Sequence, residues 1–214
     1  MTTARSRPKT TLVLLVRHGR TPSTGTVLPG RAPGLHLSDE GRGDAEAVAR
    51  RIEPFTLKAL YTSPLERTRE TAAPIARAKK LRPVVHRGLL ECDFGDWTGR
   101  KLKVLAQRPE WTTVQRYPSG FRFPGGESFA EMQTRICAAI DGIVAAHRGG
   151  TVVCVSHADP IKAAVANAIG TPLDLFQRIV ISPCSITAIA YSPAGPTVLT
   201  VNSITGELKD LRPS

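Results

Sequence analysis

The sequence predicts an α/β fold, a three-layer sandwich with a mainly parallel central sheet flanked by helices. Three observations carry this reading. Short continuous apolar runs rich in Val and Leu, Thr11–Val16 and Thr151–Val155, read as strands buried on both faces. Segments with apolar residues at helical spacing lie between the strand-like runs. The two patterns alternate along the chain, as βα units require.

Thr11–Val16 (TLVLLV) is the first strand and runs straight into Arg17-His18-Gly19. A loop follows, punctuated by Pro22, Gly25, Pro29, Gly30, Pro33 and Gly34. Ser38 is expected to cap a helix reaching about Arg51, with Ala45, Val48, Ala49 and Ile52 on one face. Ala59–Thr62 is a second short strand. Ser63-Pro64-Leu65-Glu66 then has the residues of a helix start with a capping box: Ser at the cap, Pro at the first position and Glu at the third. Val84-Val85 is a third, very short strand. Residues 93–126 are irregular and rich in Gly and Pro, and are expected to form an insertion that closes over a site. Ser128–His147 is the clearest helix, with Phe129, Met132, Ile136, Ile140 and Ile143 on one stripe. Thr151–Val155 ends at Ser156-His157, and a helix carrying Ile161, Ala164, Val165, Ala168 and Ile169 at helical spacing follows. Ser185–Tyr191 and Pro196–Val201 complete the sheet.

The chain has 214 residues, 41% of them apolar, enough for one domain with a sizeable core. One domain is expected over 11–205, carrying the lid-like insertion at 93–126, between a basic tail at 1–10 and a C-terminal tail at 206–214. The net charge of +11 admits nucleic acid, an anionic membrane or anionic small molecules as partners. The basic residues are scattered, without a dense run interleaved with aromatics and without a nucleic-acid-binding motif, so nucleic acid is not expected. No apolar run approaches the roughly 20 residues of a membrane helix, and the N-terminus lacks the apolar stretch of a signal peptide. The four cysteines are far apart, with no metal-ligand spacing, and fit reduced thiols in a cytoplasmic protein. A homodimer is left open.

In an open parallel sheet, ligands bind beyond the carboxyl ends of the strands. Arg17-His18-Gly19 and Ser156-His157 each follow a buried strand, and Ser63–Arg67 follows another. Two imidazoles with Arg17 and Arg67 nearby suit a dianionic phosphoryl group, because a guanidinium binds phosphate oxygens with a planar fork and stays charged. A neutral imidazole in such a pocket can act as nucleophile. Each histidine alone is more often a buried structural one; the pair together points to a site.

Arg17-His18-Gly19 with Thr21 resembles the first motif of the histidine phosphatase superfamily, which includes the cofactor-dependent phosphoglycerate mutases. Leu37-Ser38 with Gly41, Tyr61–Thr68 with Thr71-Ala72, Leu90-Glu91 with Phe94-Gly95 and Trp97, Pro124–Ser128 with Arg135, and Val155-Ser156-His157 are similar to its further motifs, in order, over roughly residues 11–170. The resemblance implies a phosphoglycerate mutase-like fold and a phosphomonoester hydrolase acting through phosphohistidine without a metal or other cofactor. His18 would be the nucleophile and Glu91 the general acid and base. Arg17, Arg67 and His157 would surround the phosphoryl oxygens. Thr24 and Ala158 stand where the family commonly has Asn and Gly, and would contact the substrate, a small phosphomonoester. The chain lacks the Trp-Asn segment and longer insertions associated with glycolytic mutases, which favours phosphatase over mutase. A non-catalytic protein binding a phosphorylated ligand is the remaining alternative. Asp159 and Lys162 could line the pocket and Arg20, Arg31 and Arg122 could reach the rest of a substrate, but a surface position is the default expectation for each; Trp97, Trp111, Phe121 and Phe123 either cover a substrate or anchor the insertion.

Overall fold

A computed structural model describes residues 10–206 and 208. Its six-stranded sheet has the order β3-β2-β4-β1-β5-β6. Strands β1 (Thr11–Arg17), β2 (Leu57–Thr62), β3 (Val84–Val85) and β4 (Thr151–Ser156) are parallel to one another. Strands β5 (Ile186–Ser192) and β6 (Gly195–Ser203) add an antiparallel hairpin on the β1 side.

The two central strands explain the continuous apolar runs. Leu12, Leu14 and Val16 of β1 pack with Val153 and Val155 of β4 on one face. Val13 and Leu15 pack with Val152 and Cys154 on the other. Period-two alternation therefore feeds two cores at once, and both sets of positions must be apolar. Helices α1 (Asp39–Ile52) and α2 (Glu66–Lys79) cover the first face through Ala45, Val48, Ile52, Ala72 and Ile75. Helices α5 (Phe129–Ala146) and α6 (Ala158–Ala168) cover the second through Met132, Ile136, Ile140, Ile161 and Val165. These are the three layers.

The cap predicted at Ser38 is formed, and the structure adds a second at Ser128. The Ser38 hydroxyl accepts from the Gly41 N–H at 3.1 Å. Ser128 and Glu131 make a reciprocal capping box at the head of α5, at 3.2 and 2.9 Å. The capping box expected at Ser63–Glu66 is not formed. Helix α2 begins three residues later, behind Leu65, which supplies no side-chain cap. Ser63 is drawn away from the cap by a buried histidine, as described below.

Residues 93–126 are less irregular than expected. They contain two short helices, α3 (Leu102–Leu105) and α4 (Glu110–Arg116), and 3-10 turns at Gly95–Trp97 and Pro118–Gly120. Trp97 (2% exposed), Phe121 and Phe123 are buried in an edge-to-face cluster with Phe94 and Phe129, so they anchor the segment to the α5 side of the core. The segment is also stitched to the loop after β1. Gly99 N–H donates to Leu28 O at 2.7 Å, Leu28 N–H to Arg100 O at 2.9 Å, and Leu102 N–H to Thr26 O at 3.0 Å.

The expected tails at 1–10 and 206–214 lie outside the described residues except for Thr10, Gly206 and Leu208; Leu208 is 3% exposed and packs on the α1–α2 core. No helix among the described residues is long and apolar enough to cross a membrane.

Candidate active site

The carboxyl ends of β2, β4 and β1 lie side by side, and the backbone locks the turns beyond them together. His18 N–H donates to Ser156 O, and Ser63 N–H to Val155 O, both at 3.0 Å. Arg17 stands opposite Ser156 in the β1–β4 register. The Ser156 hydroxyl donates to Leu89 O at 2.8 Å, which ties the segment carrying Glu91 to the same point. Gly19 and Gly41 bring the head of α1 against the His18 turn: a Cβ at Gly19 would lie 2.6 Å from Gly41 O, and one at Gly41 would lie 2.2 Å from Arg20 O. Any larger residue at either place would push the turn out of position.

His18 is 5% exposed. Its Nδ1 lies 2.8 Å from Gly19 O, and a carbonyl only accepts, so Nδ1 carries the hydrogen. Its Nε2 then holds a lone pair, into which Arg67 Nε donates at 3.2 Å. Burial first, and then the charges of Arg67 and Arg17, hold its pKa well below the ordinary histidine value. The ring is therefore held as the neutral Nδ1–H tautomer, with its lone pair on Nε2.

Arg67 is fully buried. Its Nη2 donates to Gly30 O at 2.7 Å and to His157 Nδ1 at 3.3 Å. Because Nδ1 accepts, His157 carries its hydrogen on Nε2 and donates it to the Ser63 hydroxyl at 2.9 Å. This bond takes Ser63 from the α2 cap. The two imidazole centroids are 5.1 Å apart. Burial, followed by the Arg67 charge, keeps the pKa of His157 low as well. Two guanidinium nitrogens, Arg17 Nε and Arg67 Nη1, are buried without a partner among the described residues. Buried N–H groups of this kind are almost always paired, so each is available to an anionic oxygen or a water.

Glu91 is 8% exposed, and its Oε1 accepts from the Cys92 N–H at 2.9 Å. Burial, then the negative charge of Asp159, push its pKa up to about 7, against the pull of the Cys92 N–H, Arg67 and Arg17. Its backbone is gripped from behind: Arg31 Nε donates to Glu91 O at 2.8 Å and Arg135 Nη2 at 3.3 Å, and Glu127 Oε1 accepts from both arginines at 2.8 and 2.6 Å.

A cavity of about 400 Å³ opens over these groups. Of the residues singled out from the sequence, Arg17, His18, Thr24, Glu91 and Ala158 line it. Arg67 and His157, both fully buried, do not line it; Arg67 meets it through its bond to His18. Thr24 Oγ1 accepts from the Thr21 N–H at 2.8 Å and fixes the loop after β1. Ala158 opens α6, whose N-terminus faces the cavity. Three surface expectations are corrected. Asp159 and Lys162 line the cavity, because helical spacing turns both toward it from the first turns of α6. Arg31 is a buttress of Glu91 rather than a solvated side chain; it pairs with Asp93 at 3.2 Å as well as Glu127. Arg20 and Arg122 do stay outside, paired with Glu40 and Glu131. Glu127, the hub of the buttress, was legible only as part of Gly126-Glu127-Ser128; nothing in the spacing pointed from it to Glu91. No group of three or more His, Cys, Asp or Glu among the described residues is arranged to hold a metal ion.

Fold and site together define an α/β protein that gathers His18, His157, Arg17, Arg67 and Glu91 at the carboxyl edge of a parallel sheet. Residues 13–204 match the histidine phosphatase superfamily (branch 1), and the chain belongs to that family and is a phosphatase. It is 29% identical over 203 residues to phosphoserine phosphatase 1 of Hydrogenobacter thermophilus, covering 89% of this chain and 91% of that one. It is 30% identical over 182 residues to a probable phosphoglycerate mutase of Yersinia enterocolitica, covering 84% of each. Mycobacterial relatives 34% identical to it are longer, and the chain spans 57% of their length. Among solved structures, Bacillus stearothermophilus YhfR superposes with a TM-score of 0.84 at 28% identity, over 91% of this chain and 98% of that one.

Proposed function

We propose that the chain hydrolyses small phosphomonoesters through a phosphohistidine on His18. His18 Nε2 attacks phosphorus, and the bond from phosphorus to the leaving oxygen breaks. Glu91, protonated, gives its proton to that oxygen, and the alcohol departs. Glu91, now a carboxylate, takes a proton from water. The water oxygen attacks phosphorus, the bond to Nε2 breaks, and inorganic phosphate leaves with His18 neutral and Glu91 protonated again. Arg17 Nε and Arg67 Nη1 hold the equatorial oxygens through both steps. His157 accepts from Arg67 Nη2 at Nδ1 and so orients that guanidinium. Thr24 and Ala158 shape the contact with the rest of the substrate.

The observation that carries this reading is the tautomer of His18, with Nδ1–H tied to Gly19 O and Nε2 basic beside the two unpartnered guanidinium nitrogens. Two fixed positive charges do the work that a metal ion does elsewhere, so the reaction is taken to need no cofactor. The site's confinement to a cavity of about 400 Å³ supports a small molecule, rather than nucleic acid, as ligand. Four free cysteines fit a cytoplasmic enzyme. The likeness to a probable mutase favours a second reading, in which phosphohistidine returns its phosphoryl group to a phosphoglycerate. The test is phosphate release from a panel of phosphomonoesters in excess EDTA, with His18→Ala beside the native protein. Release that resists EDTA and vanishes in the variant supports the proposal. Release that needs metal or persists in the variant sinks it, and isomerisation of a primed phosphoglycerate without release favours the mutase.

A further inference from the structure

The phosphate-handling groups occupy only part of the cavity. A volume of about 400 Å³ lies in the range of pockets for drug-sized ligands, well beyond what a phosphate ion fills. The remaining wall is mostly apolar, with Leu28 from the loop after β1, Leu102, Trp111 and Val114 from the insertion, and Ile179 and Val180 from the segment before β5. Val180 is 65% exposed, a large apolar side chain left open beside that cavity. Trp111 is itself held in place by stacking on the buried Trp97, 6.3 Å away and 22° from parallel.

The charges in the wall tell against a second anionic group on the substrate. Besides Arg17, the cationic side chain in the lining is Lys162. Its Nζ lies 3.1 Å from Asp159 Oδ1 and 3.0 Å from Gln177 Oε1, and 5.8 Å above the Phe176 ring. Both partners of the ion pair are only 17% exposed. A carboxylate approaching Lys162 would have to displace Asp159 and then face its charge. Arg20 and Arg31, the nearby guanidiniums in the sequence, are paired elsewhere and do not line the cavity.

Resting on the phosphatase reading, we propose that the substrates are phosphomonoesters whose leaving alcohol is neutral and has an apolar body of about aryl-alkyl size, rather than a second carboxylate or phosphate. The apolar wall receives the body, and the Asp159–Lys162 pair acts as a neutralised polar patch that turns away anionic leaving groups.

Four esters of alcohols with comparable leaving ability separate the alternatives: ethyl phosphate, 2-phenylethyl phosphate, phosphoserine and 3-phosphoglycerate. The native protein is expected to show a kcat/KM for 2-phenylethyl phosphate about 30-fold above that for ethyl phosphate, the return on burying one phenyl group. The two carboxylates are expected at or below ethyl phosphate. Trp111→Ala should cut the phenylethyl-to-ethyl ratio about tenfold. Val180→Asp, at an exposed position where the fold does not depend on the side chain, should cut it in the same direction. Asp159→Asn frees the Lys162 charge and should raise the 3-phosphoglycerate-to-ethyl ratio. Preference for either carboxylate in the native protein, or ratios unmoved in all three variants, overturns the proposal while leaving the phosphatase intact. Silence on all four esters overturns both.

Discussion

The proton on Glu91 gives the sharpest test of the mechanism. Burial and the Asp159 charge set its pKa at about 7, from an ordinary 4.5, so the free enzyme carries the acid form below neutrality and loses it above. Phosphoryl transfer from a substrate needs that acid form. A carboxyl with this pKa is protonated in only about one molecule in eleven at pH 8, so kcat/KM should fall roughly tenfold per unit above pH 7. Between pH 7 and 9 a phosphomonoester, whose second pKa is about 6, is already a dianion, so the fall belongs to the enzyme. Glu91→Gln cannot titrate. It should lower kcat/KM for an alkyl phosphate by about 10² to 10⁴ at pH 7 and flatten the alkaline limb. The loss should shrink on p-nitrophenyl phosphate, whose leaving oxygen needs less help from a proton. The same substitution has a stability signature. The folded pKa is raised, so the native state holds a proton that the unfolded chain gives up, and stability drains away as pH rises from 4.5 to 7. At about 1.4 kcal/mol per unit this amounts to about 3 kcal/mol, an upper figure. Glu91→Gln should therefore match or exceed the native protein in urea denaturation at pH 8. An alkaline limb that survives in Glu91→Gln, or a native profile flat from pH 7 to 9, would refute the assignment.

Other consequences follow from the same geometry. His18→Ala should abolish acid-labile, base-stable phosphate incorporation on the protein in a rapid-quench experiment with a labelled ester. Arg67→Lys keeps a charge but loses the fork that reaches His18, Gly30 O and His157 together, so kcat/KM should fall at least about 10²-fold, read by steady-state kinetics. Glu127→Gln weakens the clamp on Arg31 and Arg135 behind Glu91 and should lower kcat more than it changes KM, with circular dichroism near native. Ser128→Ala breaks the capping box of α5 and should cost about 1 kcal/mol in urea titration without moving kcat.

The sequence by itself determined the layers of this fold. The TLVLLV and TVVCVS runs are apolar at nearly every position because β1 and β4 have a core on each face. It also determined which groups gather. His18 and His157 each follow the last residues of a buried strand, and parallel strands deliver their carboxyl ends to one edge. Tertiary structure decided what local propensity could not. Ser63 has every local reason to cap α2, yet its hydroxyl serves His157, because a buried imidazole N–H without a partner costs more than a missing cap. Asp159 and Lys162 look solvated in the sequence, but the orientation of α6 over the β4 edge turns them into the cavity, where Asp159 helps set the proton affinity of Glu91. Arg31 and Glu127 are 96 residues apart, and only the folding of the loop after β1 against the head of α5 joins them behind the acid. Short-range pattern reports how each residue treats its neighbours in sequence; which distant charge it meets is fixed by the packing of whole elements.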